Sequence, residues 1–387
     1  MSTVDEVREQ LARYQGFLKQ DPDNLSLVNE VAELHYRLGE FEQANALIDS
    51  ALVKQPNEPS LLFLQSNIAM ASGHADKAVT VLNQLVEQGH SAPAIHYNLA
   101  YALLYEGKAE QAKQQLDVID DNLKEIPEAD LLRARVLHHT GDLEQAIQSA
   151  EAYLSNHPQH AETTGVLALL NYDAGMNAIA QQWAEQTLEQ RPDNLEALIV
   201  SGSVALDSQD EKIATQHFDH ATTQHPKSGR AWSGMGLADM LGMNIDKAIA
   251  DFQKAVAYMP NHIGTWHALA WCQILKNDLV GARHSFDESM KIDARFGETH
   301  GGLAVVDFLE DKLDEAQTKA KTAVRLDKFS FAGRFAQSLL LTQSGDTEKA
   351  QALIQKMMQA NIGDDDEPLQ MKLQKVMRRH VGSKKLH

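Results

Sequence analysis

The sequence predicts an all-α fold, a solenoid of stacked helical hairpins, because three columns of residues recur every 34 residues. The first column contains alanine in ten consecutive repeats: Ala44, Ala78, Ala112, Ala146, Ala180, Ala214, Ala248, Ala282, Ala316 and Ala350. The second column lies twelve residues upstream and contains only small residues: Ala32, Ser66, Ala100, Ala134, Ala168, Gly202, Gly236, Ala270, Ala304 and Ser338. Prolines follow the same period at Pro22, Pro56, Pro158, Pro192, Pro226 and Pro260. A period of this length indicates one supersecondary unit repeated along the chain.

The repeat unit is predicted to consist of two helices joined by a short turn. In the seventh repeat, residues 230–240 form a first stretch with helical apolar spacing, and residues 245–257 form a second one. Pro260 ends the second helix, because proline lacks the backbone donor and clashes with the preceding turn. Small residues on both helices let the two backbones approach closely, so each repeat is predicted to contain one close helix crossing.

Most of the turns inside the predicted hairpins contain a glycine, which adopts the left-handed conformation at little cost: Gly39, Gly73, Gly107, Gly141, Gly175 and Gly345. The other four turns have Gln209, Met243, Asn277 and Asp311 at this position. Glutamine and methionine suit the left-handed conformation poorly. We therefore predict that the sixth turn has a different conformation and that the seventh is shifted by one residue, onto Gly242.

This pattern resembles the tetratricopeptide repeat family, which has Trp or Leu at position 4 of each unit, Leu-Gly or Leu-Ala at positions 7 and 8, Ala at 20, an aromatic residue near 24 and Pro at 32. The matching residues include Trp232 with Met235 and Gly236, Trp266 with Leu269 and Ala270, and Phe218, Phe252 and Phe286 at position 24. The resemblance covers nearly the whole chain and implies a right-handed superhelix. In this family the first helix of each unit lines the concave surface, where positions 2, 5, 6, 9, 12 and 13 are available to ligands.

Ten units are expected, at residues 25–58, 59–92, 93–126, 127–160, 161–194, 195–228, 229–262, 263–296, 297–330 and 331–364. Before them, residues 1–24 are predicted to form an extra helix that packs on the array, because Val7, Leu11, Tyr14 and Leu18 follow a helical period. After them, residues 365–387 are predicted to form a capping helix and a basic tail, with Pro368 in the first turn of the helix.

The composition favours a protein partner over a nucleic acid or a membrane. The formal net charge is −19, which repels phosphate backbones, and no basic stripe follows the repeats. The N-terminal residues do not resemble a signal peptide, and no stretch approaches 18 apolar residues, so membrane insertion is not expected. The single cysteine excludes a disulfide framework within the chain, and a cytoplasmic location is expected.

No residue pattern indicates catalysis, a metal or a cofactor. The sequence lacks a phosphate-binding GxxxxGK[ST] loop, a GxSxG elbow and the HExxH and CxxC metal motifs. Among the seventeen histidines, His217 and His220 share a helix face, but no carboxylate or thiolate completes a tetrahedral set nearby. Cys272 falls in a column that is otherwise apolar, so it is predicted to be buried and unreactive. We therefore expect a protein that is not an enzyme, with no catalytic, metal or cofactor site.

The candidate binding residues occupy the family's ligand positions on the predicted inner surface. Units 2 to 5 supply aromatic and hydrogen-bonding side chains, and units 7 to 10 supply a mainly apolar set. The candidates for partner binding are Asn67, Tyr97, Asn98, Tyr101, Arg135, His138, Tyr172, His267, Trp271 and Phe308. Of these, Tyr101, Arg135, His138 and Tyr172 are expected to form one contiguous patch. For each aromatic residue, packing against the next unit is the alternative.

The leading hypothesis is a non-enzymatic scaffold that binds peptide or helical segments of partner proteins on its concave face. The clamp with which some family members hold a C-terminal carboxylate is absent, since Phe63 stands where its lysine is required. One alternative is a chaperone for a secreted or membrane-associated client, which would use the apolar groove of the C-terminal units. A third reading is self-association through that groove, giving a homo-oligomer. The sequence does not identify the partner.

Overall fold

The computed structural model describes residues 3–119, 126 and 128–359, and every regular element in those ranges is an α-helix. The all-α prediction is confirmed. One leading helix, α1 (Thr3–Gln20), precedes ten helical hairpins. Val7 and Leu11 of α1 are buried against Val31 and Leu34 of the first hairpin, so the leading helix covers the apolar end of the stack. The predicted capping helix and basic tail, residues 365–387, lie outside the described residues.

Each hairpin has a first and a second helix. The first helices are α2 (Leu25–Arg37), α4 (Pro59–Ala71), α6 (Pro93–Tyr105), α8 (Ala129–Thr140), α10 (Ala161–Asp173), α12 (Leu195–Asp207), α14 (Gly229–Leu241), α16 (Ile263–Leu275), α18 (Gly297–Leu309) and α20 (Phe331–Gln343). The second helices are α3 (Phe41–Lys54), α5 (Ala75–Glu87), α7 (Ala109–Val118), α9 (Leu143–Asn156), α11 (Asn177–Gln190), α13 (Glu211–Gln224), α15 (Ile245–Tyr258), α17 (Leu279–Ile292), α19 (Leu313–Leu326) and α21 (Thr347–Gln359).

The helices form two compact units, Met1–Thr163 and Thr164–His387, and the boundary between them falls within α10. In each unit the two helices of a hairpin pack against each other, and the second helix also packs on the first helix of the next hairpin. A hairpin therefore buries both of its apolar faces only when neighbours are present, as expected of a repeat architecture. None of the described helices is both long and apolar enough to cross a bilayer.

The alanine column lies where the two helices of each hairpin approach each other most closely. All ten alanines are buried, none of them more than 1% exposed. In the sixth and seventh hairpins, the small-residue column of the first helix contains glycine, because a phenylalanine of the second helix packs against it. A β-carbon added at Gly202 would lie 2.7 Å from Phe218, and one added at Gly236 would lie 2.7 Å from Phe252. Glycine at position 8 therefore makes room for an aromatic ring at position 24.

The turns of the sixth and seventh hairpins contradict the sequence prediction. Gln209 and Met243 adopt the left-handed conformation, with φ of 57° and 61°, whereas Gly242 has φ of −78°. The Gln209 N–H donates to the Leu206 carbonyl at 2.8 Å, and the next N–H donates to the Ala205 carbonyl at 2.7 Å. These two hydrogen bonds and the close helix crossing outweigh the steric cost of about 1–2 kcal/mol for a left-handed residue with a side chain. These two turns therefore have the same left-handed conformation as the glycine-containing turns, although they contain glutamine and methionine at that position.

One hydrogen bond recurs in the last four hairpins. It runs from the side chain at position 4 of a unit to the carbonyl oxygen six residues earlier: Trp232 to Pro226, Trp266 to Pro260, His300 to Ala294 and Arg334 to Lys328. In the first three the heavy atoms are 2.8–2.9 Å apart. The acceptor is a main-chain oxygen, so the bond survives where proline is replaced by alanine or lysine. It fixes each first helix to the end of the preceding second helix.

Candidate functional site

The first compact unit exposes tyrosines on one face of α6, the first helix of its hairpin. Tyr97, Tyr101 and Tyr105 are four residues apart and therefore share a helix face. Tyr101 is 42% exposed and Tyr105 is 73% exposed, and their ring centroids lie 6.2 Å apart. Large aromatic side chains at this exposure are available to a binding partner. These three residues, together with Arg135 of α8, are called the tyrosine patch below.

Arg135 is held beside the tyrosines by a carboxylate. Its Nη2 donates to Oε1 of Glu162, the second residue of α10, at 2.9 Å. Burial is the main cause that raises the pKa of Tyr101; Tyr105 and Glu162 raise it further, and Arg135 lowers it. The phenol therefore stays protonated at neutral pH and can donate a hydrogen bond. Because Arg135 and Glu162 both act on Tyr101, the phenol and the ion pair form one local electrostatic group.

The remaining candidates of the first unit lie on the first helices α4, α6 and α8. Asn98 of α6 donates from Nδ2 to Oδ1 of Asn67 on α4 at 2.7 Å, which joins two successive hairpins. Burial, followed by Glu128, raises the pKa of Tyr97 to about 12. His138 is partly buried on α8, and its ring centroid lies 5.6 Å from that of His139. Both asparagines are partly buried, so their mutual hydrogen bond also serves packing.

Tyr172 belongs to the second compact unit. Its hydroxyl donates to Oδ2 of Asp207 at 3.2 Å, and the same oxygen accepts from Nδ2 of Asn177. Burial and then Asp207 raise the pKa of Tyr172 to about 12. The patch predicted to join Tyr172 to Tyr101, Arg135 and His138 would span both units, and it stays a prediction.

A cavity of about 680 Å³ lies beside Tyr172, entirely within the second unit. Side chains of α10, α12 and α14 line it, with Met259 and His262 from the loop before α16. Its wall combines apolar residues such as Ile199, Leu206 and Leu237 with polar groups. We call this cavity the α12 groove. The lining residues of the three helices occupy the unit positions that face the ligand in the tetratricopeptide family.

An ion pair spans the α12 groove from α14 to α10. Arg230 Nη2 donates to Asp173 Oδ1 at 2.7 Å, and Nη1 donates to Asp173 Oδ2 at 3.3 Å. Burial and then the charge of Arg230 lower the pKa of His262, which caps α16 by accepting from the Thr265 N–H. Sequence reasoning missed Arg230 and Asp173 because they are 57 residues apart. Their only sequence signal was their placement at positions 2 and 13 of their units.

Helix packing accounts for the glycine in the floor of the α12 groove. A β-carbon on Gly234 would lie 2.1 Å from the Phe218 ring, and Phe218 is 1% exposed. The phenylalanine therefore fills the space that a side chain at position 234 would occupy. Close helix packing therefore explains the glycine at position 234, as it explains Gly236.

Two of the three C-terminal candidates, His267 and Trp271, make internal side-chain contacts. His267 Nε2 lies 2.8 Å from Thr299 Oγ1 and 3.1 Å from Ser289 Oγ, and burial lowers the pKa of His267 to about 4. The Trp271 ring contacts Phe286 and Phe335, with centroids 6.1 Å and 6.4 Å away. Phe308 is partly buried on α18. These contacts join the eighth hairpin to the ninth and tenth.

The single cysteine lies within helix α16. Cys272 is fully buried, and burial raises the pKa of its thiol to about 11, so the sulfur is a neutral thiol at physiological pH. The prediction that this residue is buried is confirmed. Within the described residues no three His, Cys, Asp or Glu side chains are grouped so that they could hold a metal ion.

Comparison with known proteins supports the repeat assignment. Residues 63–122 and 97–161 match the family model for the tetratricopeptide repeat. No curated protein sequence matches the chain. The matched residues carry the same 34-residue register as the other hairpins, so the whole array follows one pattern.

Solved structures of IFIT1 share the fold. The chain resembles human IFIT1, in a dimer with m7Gppp-AAAA, with a TM-score of 0.55 and 16% identity over 91% of this chain and 94% of that one. A monomeric IFIT1 mutant with Gppp-AAAA gives a TM-score of 0.55 and 15% identity over the same shares. MamA aligns over 41% of this chain and 92% of its own, with 18% identity and a TM-score of 0.37. At these identities the likeness to IFIT1 concerns the fold.

Proposed function

We propose that this tetratricopeptide-repeat protein is a non-enzymatic scaffold that binds a peptide segment of a partner protein through the tyrosine patch. The observation that carries the proposal is the exposure of Tyr101 and Tyr105 on an inner helix, beside a guanidinium fixed by Glu162. Tyrosine and arginine are favoured as binding anchors, since each combines a large contact area with directional donors. A cytoplasmic location fits the single, buried cysteine.

The tyrosine patch suits a peptide for a further reason. Burial raises the pKa of Tyr97 and Tyr101, so these two phenols are neutral donors at physiological pH. Neutral donors and aromatic faces accept main-chain carbonyls and apolar side chains together. The Asn67–Asn98 pair lies on the neighbouring helices α4 and α6 and extends the polar part of this surface. Partner selectivity would then come from the side chains that pack between the rings.

Nucleic acid is the less favoured partner. The IFIT1 structures named above contain capped RNA, but a likeness of 15–16% identity carries the fold and not the ligand. A net charge of −19 opposes the approach of a phosphate backbone. We therefore propose a protein partner, with a Gppp-AAAA oligonucleotide as the negative probe in the binding experiment below.

The chaperone and self-association alternatives depend on the apolar C-terminal units. His267 and Trp271 are engaged in contacts between hairpins there, which leaves Leu275 and Leu309 as more exposed inner residues. A chaperone would keep an aggregation-prone client in solution and then release it, whereas a scaffold holds a folded partner at fixed stoichiometry. The variants of the first unit described next separate the scaffold proposal from both of these alternatives.

The test is selection from a displayed library of random peptides. We expect the wild-type protein to enrich a peptide family, and the double variant Tyr101→Ala with Arg135→Ala to lose it, with unchanged helicity by circular dichroism. Losing two binding anchors should weaken binding by about tenfold or more. If the double variant enriches the same peptides, the tyrosine patch is not the binding surface. Binding of Gppp-AAAA by the wild type would contradict the choice of a protein partner.

The matched control lies on the second helix of the same hairpin. Gln111 and Gln114 of α7 are exposed, and their joint replacement by alanine should leave enrichment unchanged. The neighbouring Gln115 is unsuitable as a control, because its Oε1 lies 2.8 Å from Nδ1 of the buried His96. Loss of enrichment in the Gln111 and Gln114 variant would indicate a general loss of structure.

A further inference from the structure

The junction between α19 and α20 is basic, in contrast to the chain as a whole. Residues 321–334 contain four lysines and arginines and one carboxylate, Asp327, whereas the whole chain has a net charge of −19. Arg325, in the last turn of α19, and Lys328, in the loop before α20, are both exposed. Neither of them has an ion-pair partner among the residues that the structure describes. Their charges are therefore available to an anionic group.

The same junction exposes aromatic rings. Phe329 is 68% exposed, and Phe331, the first residue of α20, is 37% exposed. Lys328 Nζ lies 4.8 Å from the centroid of the Phe329 ring, and the guanidinium carbon of Arg334 lies 5.7 Å from it. The Arg334 guanidinium also donates to the Lys328 carbonyl oxygen, so two cations are held beside one exposed ring. We call these residues the basic edge: Arg325, Lys328, Phe329, Phe331 and Arg334.

The carboxylates at the basic edge are occupied by main-chain donors. Asp327 accepts from the Phe329 N–H at 2.8 Å through Oδ1. The two oxygens of Glu298 on α18 accept from the first two main-chain N–H groups of α20. An anion is therefore attracted here by the cationic side chains and not by the start of the helix. The two carboxylates also leave the four cations of residues 321–334 in excess.

The chain leaves the last described helix beside the basic edge. Helices α20 and α21 have 13 residues each and are joined by a short turn, so they run antiparallel and Gln359 lies at the same end of the hairpin as Phe331. Five residues after Gln359 the sequence contains four consecutive carboxylates, residues 364–367, which we call the acidic run. The acidic run lies outside the described residues and is identified by its sequence alone. Five extended residues span about 17 Å, more than the distance of about 9 Å between packed helices.

We propose that the acidic run docks on the basic edge of the same molecule, with its carboxylates opposite Lys328 and Arg334. Ile362, which precedes the run, then packs against the Phe329 ring. Each exposed ion pair is weak alone, but four carboxylates act together, and the short tether gives them an effective concentration of about a millimolar. A nucleic acid or an anionic membrane presents many more negative charges, so the net charge of −19 opposes it more strongly. Another anionic molecule would reach the edge only by displacing the run.

Zero-length cross-linking of the full chain with a carbodiimide tests the contact. The reagent joins a lysine amine to a carboxylate that touches it, as an amide with loss of water, and mass spectrometry identifies the two residues. At 0.1 M salt we expect a cross-link between Lys328 and the acidic run. At 1 M salt the Debye length falls from about 10 Å to about 3 Å, so the yield should fall about threefold or more.

An exchange of charges separates docking from proximity. Lys328→Glu places like charges opposite each other, so the amides of residues 326–330 should exchange hydrogen about threefold faster or more, relative to their intrinsic rates. Adding Asp365→Lys restores opposite charges and should restore the wild-type rate. The matched control combines Lys321→Glu with Asp365→Lys, since Lys321 is an exposed cation of α19 outside the basic edge. It has the same net charge as the exchange variant but should keep the fast rate.

Four results would overturn the proposal: no cross-link from Lys328 to the acidic run, a yield that 1 M salt leaves unchanged, no recovery of slow exchange in the exchange variant, or cross-links only between two copies. A mixture of unlabelled and isotope-labelled protein identifies the last result, which would mean that a second copy occupies the basic edge. The cross-link is measured on the wild-type chain, so a variant that fails to fold leaves the test intact. Tyr101→Ala with Arg135→Ala should cross-link normally, which separates this contact from the tyrosine patch.

Discussion

Two buried aspartates at the same repeat position have opposite surroundings. Asp239 of α14 is 5% exposed and faces Asp251 of α15, which is 8% exposed. Asp307 of α18 stands 68 residues later, two repeats on, and is paired with Arg283 and Lys319. Burial, followed by Asp251, raises the pKa of Asp239. Its Oδ2 has no hydrogen-bond donor among the described residues, and a proton shared between the two carboxyls would supply one.

We predict that Asp239→Asn stabilises the protein at neutral pH. A raised pKa means that the folded state binds more protons than the unfolded state, so stability falls as the pH rises above the ordinary carboxyl pKa of about 3.9. Asparagine removes this penalty and can donate to Asp251. The expected gain is roughly 1–2 kcal/mol at pH 7 and nothing below about pH 3.5, measured by urea unfolding at both pH values.

The matched change at the other site should have the opposite sign. Asp307→Asn removes the negative charge from between Arg283 and Lys319, which leaves cations with reduced compensation. We expect it to lower stability by about 1–3 kcal/mol at pH 7. A loss of stability in both variants would mean that Asp239 is ionised and compensated in the folded state.

At the residue scale, some environments could be predicted from the sequence and others could not. Burial of Cys272 followed from its column, because a repeat gives the same environment to the same position. The left-handed conformations of Gln209 and Met243 did not follow, since local propensity was outweighed by tertiary packing. The pair Arg230–Asp173 was also missed. It depends on how three successive inner helices are inclined to one another, which no single unit encodes.

At the scale of elements, the close helix crossing inside each hairpin explains why small residues recur every 34 residues. Ala248 of α15 has no solvent exposure, and it packs in one buried cluster with Phe252 and Leu269. A methyl group is therefore the largest side chain that this crossing accommodates without movement. The same column was the strongest sequence signal, because a close crossing excludes larger residues at every repeat.

We predict that Ala248→Leu destabilises the seventh hairpin and its neighbours. The larger side chain forces α14 and α15 apart, at a cost of about 1–3 kcal/mol. Since contacts run between neighbouring hairpins, amides of α13 to α16 should exchange hydrogen faster while those of α2 to α5 are unchanged. The exposed Ala250 of the same helix is the control, and Ala250→Leu should have no effect. Faster exchange along the whole chain would contradict a nearest-neighbour architecture.

At the scale of the whole molecule, the sequence predicted the repeat register of the described helices. It predicted only part of the binding surface. The unit positions named Tyr97, Tyr101 and Arg135 as inner residues, because helical periodicity and the family resemblance fix which face each occupies. The exposure of Tyr101 required the structure, since it depends on how neighbouring side chains fill the space. The acidic net charge acts on partners at any position and was known from composition alone.

We predict that this net charge of −19 accelerates the association of basic partners. Attraction over the whole surface steers encounter, and it is screened as the Debye length falls from about 10 Å at 0.1 M salt to about 3 Å at 1 M. For a lysine-containing peptide enriched by the wild-type protein, the association rate should therefore fall about tenfold or more across this range, while the dissociation rate changes less. Stopped-flow measurement of both rates decides the matter, and an association rate independent of salt would show that the acidic surface plays no part in recruitment.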